Sequence, residues 1–128
     1  MATFPVSTGD VLTSAIYNSL PTFSIGTAQT ADYTAVAADQ YQALQLMDKA
    51  TAIAFQIPTN ASVAYPIGTA ITVLNIGVGV CTISAVTSGT TTVLSSAAVP
   101  AAPTLAQYKS AVCIKTGTDT WYVVGAVA

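Results

Sequence analysis

The sequence has no histidine, no arginine and no glutamate. Most enzyme mechanisms need a proton shuttle, a nucleophile with its base, or a set of metal ligands. Here that chemistry would fall to five carboxylates, Asp10, Asp32, Asp39, Asp48 and Asp119. All five stand in predicted turns or caps, where the short Asp side chain bonds nearby backbone N–H groups. The expectation is a chain that is not an enzyme and carries no metal or cofactor. Three lysines, Lys49, Lys109 and Lys115, are its only cationic side chains. They cannot form the stripe that several phosphate contacts require, so nucleic acid is not an expected partner. Two cysteines, Cys81 and Cys113, are too few for a zinc site. Both fall in predicted strands and read as buried, reduced thiols acting as small hydrophobes. A disulfide between adjacent strands is the alternative.

Long apolar runs are also missing. None reaches the ~20 residues of a membrane span, because proline, glycine and threonine interrupt every candidate. The first residues lack the basic start and continuous apolar centre of a signal peptide. The expectation is a soluble protein made in the cytoplasm, with no membrane partner.

What is abundant is uncharged: 52% of residues are hydrophobic and only 6% are charged, against roughly 25% charged in an average soluble protein. A monomer normally keeps a charged surface to stay unassociated. Obligate interfaces, by contrast, resemble a domain core cut in half and are depleted in charge. The composition therefore points to a homo-oligomer that hides much of its surface. A small monomer with a neutral, hydroxyl-rich surface is the alternative.

Turn signals divide the chain into short segments. Leu12, Ile16, Tyr17 and Leu20 fall at helical spacing, with Asp10 or Thr13 as cap and Pro21 as stop. This predicts a helix of about two turns, too short to stand alone in water. These four residues are the candidate partner-binding set. Thr22 to Thr30 reads as an extended arm, so residues 1–30 form an N-terminal segment and 31–128 a β domain. Within that domain Tyr33–Val36, Gln42–Met47 and Thr51–Ile57 read as strands, although Asp39–Lys49 has good helix formers. Pro58 stops the third strand because proline cannot donate to the ladder. Pro66-Ile67-Gly68 is a turn, with glycine free to take a positive φ. Ile71–Leu74 is a strand, and Gly77-Val78-Gly79 predicts a tight hairpin into Val80–Ile83. Thr91–Ser95 and one or two strands within Thr104–Lys115 follow. Gly117-Thr118-Asp119 turns into a last strand, Thr120–Ala126, on which Trp121 and Val123 share one face and Tyr122 takes the other. The fold class expected is all-β, an antiparallel sandwich or barrel of about eight short strands with a short N-terminal helix and extended arm. Asn60-Ala61-Ser62 matches a glycosylation acceptor, but Asn60 more simply serves its turn. Tyr65, Tyr108, Trp121 and Tyr122 are candidates for a sugar-binding shelf, with a buried Trp121 as the plainer reading.

Ile57-Pro58-Thr59-Asn60, then Ser62, Tyr65, Pro66-Ile67-Gly68-Thr69 and Gly77-Val78-Gly79, together with the closing Trp121 strand, resemble a β-module common in structural proteins of tailed bacteriophages. The opening Ser7–Ala15 and Asn18-Ser19-Leu20 are similar to the openings of such proteins. The resemblance implies a non-enzymatic virion part, made in the bacterial host cytoplasm, and not a particular part; the small self-contained chain, the short N-terminal segment and the scarcity of charge favour a place on the capsid surface. The reading favoured is a decoration (cement) protein that binds the major capsid protein as an oligomer, a trimer being favoured, and stabilises the head. A tail fibre, spike or baseplate component is the alternative, followed by a carbohydrate-binding β module.

Overall fold

The chain crosses between two β-sheets at almost every turn. A computed structural model describes residues 24–128. The helix expected over Asp10–Leu20, with Leu12, Ile16, Tyr17 and Leu20, lies outside the described residues. Ten strands follow in order: β1 (Ser24–Ile25), β2 (Tyr33–Thr34), β3 (Gln42–Met47), β4 (Ile53–Ile57), β5 (Ala70–Asn75), β6 (Cys81–Ala85), β7 (Thr92–Ser95), β8 (Thr104–Leu105), β9 (Ser110–Gly117) and β10 (Thr120–Gly125). One 3-10 turn, Ala37–Tyr41, separates β2 from β3. The larger sheet has the order β1-β3-β5-β9-β10-β7, and the smaller β2-β4-β6-β8.

The all-β expectation holds among the described residues, but the sheets are mixed rather than antiparallel. Strand β3 runs parallel to β5 with Gln45 opposite Val73 and Met47 opposite Asn75. Strand β4 runs parallel to β6 with Ile53 opposite Cys81 and Ile57 opposite Ala85. Every pair in both ladders is 28 residues apart in the chain. The segments 42–57 and 70–85 are thus two stacked coils, each made of a strand in the larger sheet, an arch and a strand in the smaller. Parallel neighbours need a long crossover, and here the crossover is a strand of the other sheet. The first pair, β1 and β2, lies on the same stack, parallel to β3 and β4. Antiparallel pairing enters with the β9–β10 hairpin, which sits between β5 and β7, and with β8 on β6.

The glycine turn is accordingly an arch and not the expected hairpin, since β5 and β6 belong to different sheets. Its backbone lies directly on the arch of the preceding coil. Ile76 N–H donates to Met47 O (2.9 Å), and Gly79 N–H to Lys49 O (2.9 Å). A Cβ on Gly79 would stand 1.8 Å from the Thr51 carbonyl oxygen, and one on Gly77 2.3 Å from the Lys49 nitrogen. Only glycine lets the two arches approach this closely. Buried Asn75 secures the arch from inside. Its Nδ2 donates to Gly79 O (2.8 Å) and Leu105 O (2.9 Å), and its Oδ1 accepts from Gly77 N–H (3.1 Å).

The inner faces of both sheets meet in one core. Met47, Ile71, Val73, Val93, Cys113, Trp121 and Val123 come from the larger sheet, and Ile53, Phe55, Ile57, Cys81, Ile83 and Leu105 from the smaller. Strand β4 shows the alternation that makes this possible, with Ile53, Phe55 and Ile57 buried and Ala54 and Gln56 half-buried. Trp121 packs edge-on against Tyr65 at 5.6 Å between ring centroids, an arrangement that suits the ring quadrupoles. Both cysteines are free and buried, one in each sheet. Burial pushes the Cys81 thiol up to about 11, with Asp32 adding to the rise and a backbone hydrogen bond at Phe55 opposing it. Burial pushes Cys113 up to about 12, with Cys81 adding to it.

Two outcomes follow from this packing. Gly79→Ala should destabilise the protein by roughly 3 kcal/mol or more in a denaturant titration, because a backbone must move. Gly89→Ala, where an added Cβ meets nothing within 4 Å, should stay within about 0.5 kcal/mol. The thiols set a pH dependence. Their folded values lie above the ordinary thiol value of 9.0, so the folded state holds these protons more tightly than the unfolded chain. Their contribution is whole below about pH 9 and is lost as pH rises toward 11 and 12. Unfolding free energy measured across that window should fall, and a Cys81→Ala, Cys113→Ala variant should show a shallower decline.

Candidate assembly face

A strand that alternates apolar and polar residues shows one face to water. Strands apolar on both faces are buried on both. In the larger sheet the residues between the core positions are themselves mostly apolar. On β10 the core takes Trp121 and Val123, while Tyr122 and Val124 point away and are exposed. On β9 it takes Ala111 and Cys113, while Val112 and Ile114 are half-buried on the outer side. On β5 it takes Ile71 and Val73, leaving Ala70, Thr72 and Leu74 outside.

Strand register assembles these residues into rows. Leu94 lies opposite Tyr122, Tyr122 opposite Ile114, and Ile114 opposite Ala70. Val124 lies opposite Val112, and Val112 opposite Thr72. Leu46 lies opposite Leu74, and Leu44 opposite the exposed Ile25 at the sheet edge. Among the described residues no strand residue on this outer face is charged. Six strands at about 4.8 Å spacing and six residues at about 3.3 Å rise make a face of roughly 29 by 20 Å, on the order of 600 Å² before side-chain relief. That approaches the ~800 Å² each partner contributes to a standard-size interface.

The smaller sheet differs. Its outward residues are Thr34, Ala54, Gln56, Thr82, Ser84 and Thr104, short and mostly hydrogen-bonding. Thr34 and Gln56 bond each other across the strands (3.4 Å). The molecule therefore has one greasy side and one hydroxyl side, and neither carries charge on its strands.

Beneath the β9–β10 hairpin lies a polar cluster that sequence reasoning missed. Lys115 is 2% exposed. Its Nζ donates to Asn60 Oδ1 (2.6 Å) and to Tyr65 O (2.7 Å). Asp119, in the hairpin turn, accepts from Asn60 N–H (2.8 Å) and from the Thr91 hydroxyl (3.2 Å) through Oδ1. Parity was the available signal. Lys115 follows Ala111 and Cys113 at a spacing of two, so a core position for Cys113 carries Lys115 inward.

The other sequence candidates fall as follows. Leu12, Ile16, Tyr17 and Leu20 lie outside the described residues. Asp32 accepts from Ala54 N–H (2.9 Å) and so ties the chain before β2 to β4, while Asp39 accepts from Val36 N–H (2.9 Å) and the Tyr33 hydroxyl (2.7 Å) and fastens the 3-10 turn. Burial, helped by Asp39, raises the Tyr33 phenol well above its ordinary value. The four aromatics do not form a shelf, because Tyr65 and Trp121 are buried and only Tyr108 and Tyr122 are exposed. Among the described residues no three His, Cys, Asp or Glu side chains gather where they could hold a metal ion.

The outer face makes its own prediction. Leu74→Lys with Tyr122→Lys alters only outward side chains, so the thermal melt should move by no more than a few degrees. Two unpaired ammonium groups in an apolar interface should weaken association by roughly 3 kcal/mol, over a hundredfold, in sedimentation velocity.

No protein-family model matches the chain, and neither does any curated protein or solved structure.

Proposed function

We propose that the protein is a non-enzymatic structural subunit that works as an oligomer, and specifically a decoration protein on the capsid of a tailed phage. The observation that carries the reading is the charge-free outer face of the six-stranded sheet. A face of this extent stands at the upper end of what a monomer exposes, where such patches are often functional. Close packing against identical neighbours or a shell subunit covers it, and leaves the hydroxyl side toward water. The resemblance of the Ile57–Thr69 segment and the Trp121 strand to phage β-modules supplies the virion.

The mechanism is mechanical. Copies bind across joints of the shell, with the major capsid protein as partner and the trimer as the stoichiometry that three-fold sites favour. Binding only the mature lattice stabilises that lattice by mass action.

Copy number in purified particles tests this, by quantitative mass spectrometry against the most abundant shell protein. The expected ratio is within a few-fold of unity. A handful of copies per particle would move the protein to the tail or a vertex, and its absence from particles would remove the virion reading.

A further inference from the structure

We propose that Lys115 and Asn60 are the reactants of an intramolecular amide bond, which ties the loop after β4 covalently to β9. A buried lysine normally faces a carboxylate. Here Nζ has two neutral acceptors, Asn60 Oδ1 at 2.6 Å and Tyr65 O at 2.7 Å. At an ordinary acceptor angle the Asn60 amide carbon lies about 3.4 Å from Nζ, so the reacting atoms are neighbours, and a small rotation that exchanges the hydrogen bond to Oδ1 for a lone pair on Cγ brings them into line.

The site is also held still, with its lysine buried. The Asn60 backbone is fixed by Asp119 from the hairpin (2.8 Å), and its loop is closed by Ser62 and Val63 N–H groups on Thr59 O (both 3.0 Å). Trp121 is the cross-strand partner of Lys115 on the inner face, and Tyr65 packs on Trp121. Two groups locked in this geometry react as one molecule, without the entropy cost of an encounter, and a desolvated lysine amine is a competent nucleophile.

The step balances without an oxidant or a co-reactant. Nζ gives up one ammonium proton, and its lone pair then attacks Asn60 Cγ and forms the new C–N bond. The bond from Cγ to Nδ2 breaks, one amine proton passes to Nδ2, and ammonia leaves. A secondary amide remains between residues 60 and 115. The bond would lock the hairpin to the core in a protein whose cysteines are both free.

Intact mass of the purified full chain, followed by tryptic digestion, decides it. The expected mass is the sequence mass less one ammonia. Trypsin should fail to cut after Lys115, giving a branched peptide in which Ala50–Lys109 is joined to Ser110–Ala128. Asn60→Ala and Lys115→Met should each restore the full mass expected for the variant. A cyclised Asn side chain would also lose ammonia but would leave Lys115 cleavable, and that result overturns the proposal. So does an unmodified mass after prolonged incubation of the folded protein. Both readouts are made on the wild-type chain, so a variant that fails to fold does not blunt the test.

Discussion

A β-sheet that is apolar on both faces must be covered on both. The six-stranded sheet meets that constraint on one side only, where Trp121, Val123, Cys113, Ile71 and Val73 pack with the smaller sheet in a shared core. On the other side Tyr122, Val124, Val112, Ile114, Leu74 and Leu46 stand in register with nothing charged among them. The burial that stabilises the fold and the apolar surface left on the outside are thus the two faces of the same strands. Their sequences could not serve the first role alone without polar residues at alternate positions.

The winding of the chain generates this asymmetry. Each coil places one strand in each sheet, so the two sheets draw on alternate segments and can differ in chemistry. Leu44, Leu46, Thr72 and Leu74 go to the larger sheet, and Ala54, Gln56, Thr82 and Ser84 to the smaller. The stacked arches set how closely the coils approach, and they depend on Gly77 and Gly79 lying against the 49–51 backbone. Asn75 completes the arch with three hydrogen bonds, so that neither its own amide nor the arch's turned-in groups are left unpaired in the core.

Much of this was legible in the sequence. Alternation and turn residues locate most of the strands, the family resemblance decides Gln42–Met47 against a helical competitor, and parity places Trp121 inward and Tyr122 outward. Pairing was not legible. A Gly-x-Gly turn between two apolar runs carries the same signal whether the chain folds back in one sheet or arches to another, and the 28-residue offset is a register without matching residues. Met47 stands where the next coil has Asn75, and Phe55 where it has Ile83. The two-faced character of the larger sheet was present as charge depletion, but composition does not say which face it falls on. Lys115 was hidden because a lysine near a strand end reads as a solvated charge, whereas parity turns it toward Asn60.

The most direct test of the central claim compares two single cysteines on opposite sides. Thr72 on β5 and Thr82 on β6 are half-buried, outward-facing threonines, one on each sheet. The native thiols are buried and serve as an unreactive background. Thr72→Cys and Thr82→Cys would be labelled with a thiol reagent at a series of protein concentrations. The account predicts rapid labelling of Thr82→Cys throughout, and protection of Thr72→Cys that disappears on dilution. Equal labelling of the two at every concentration would contradict it, because the apolar face would then be open to water.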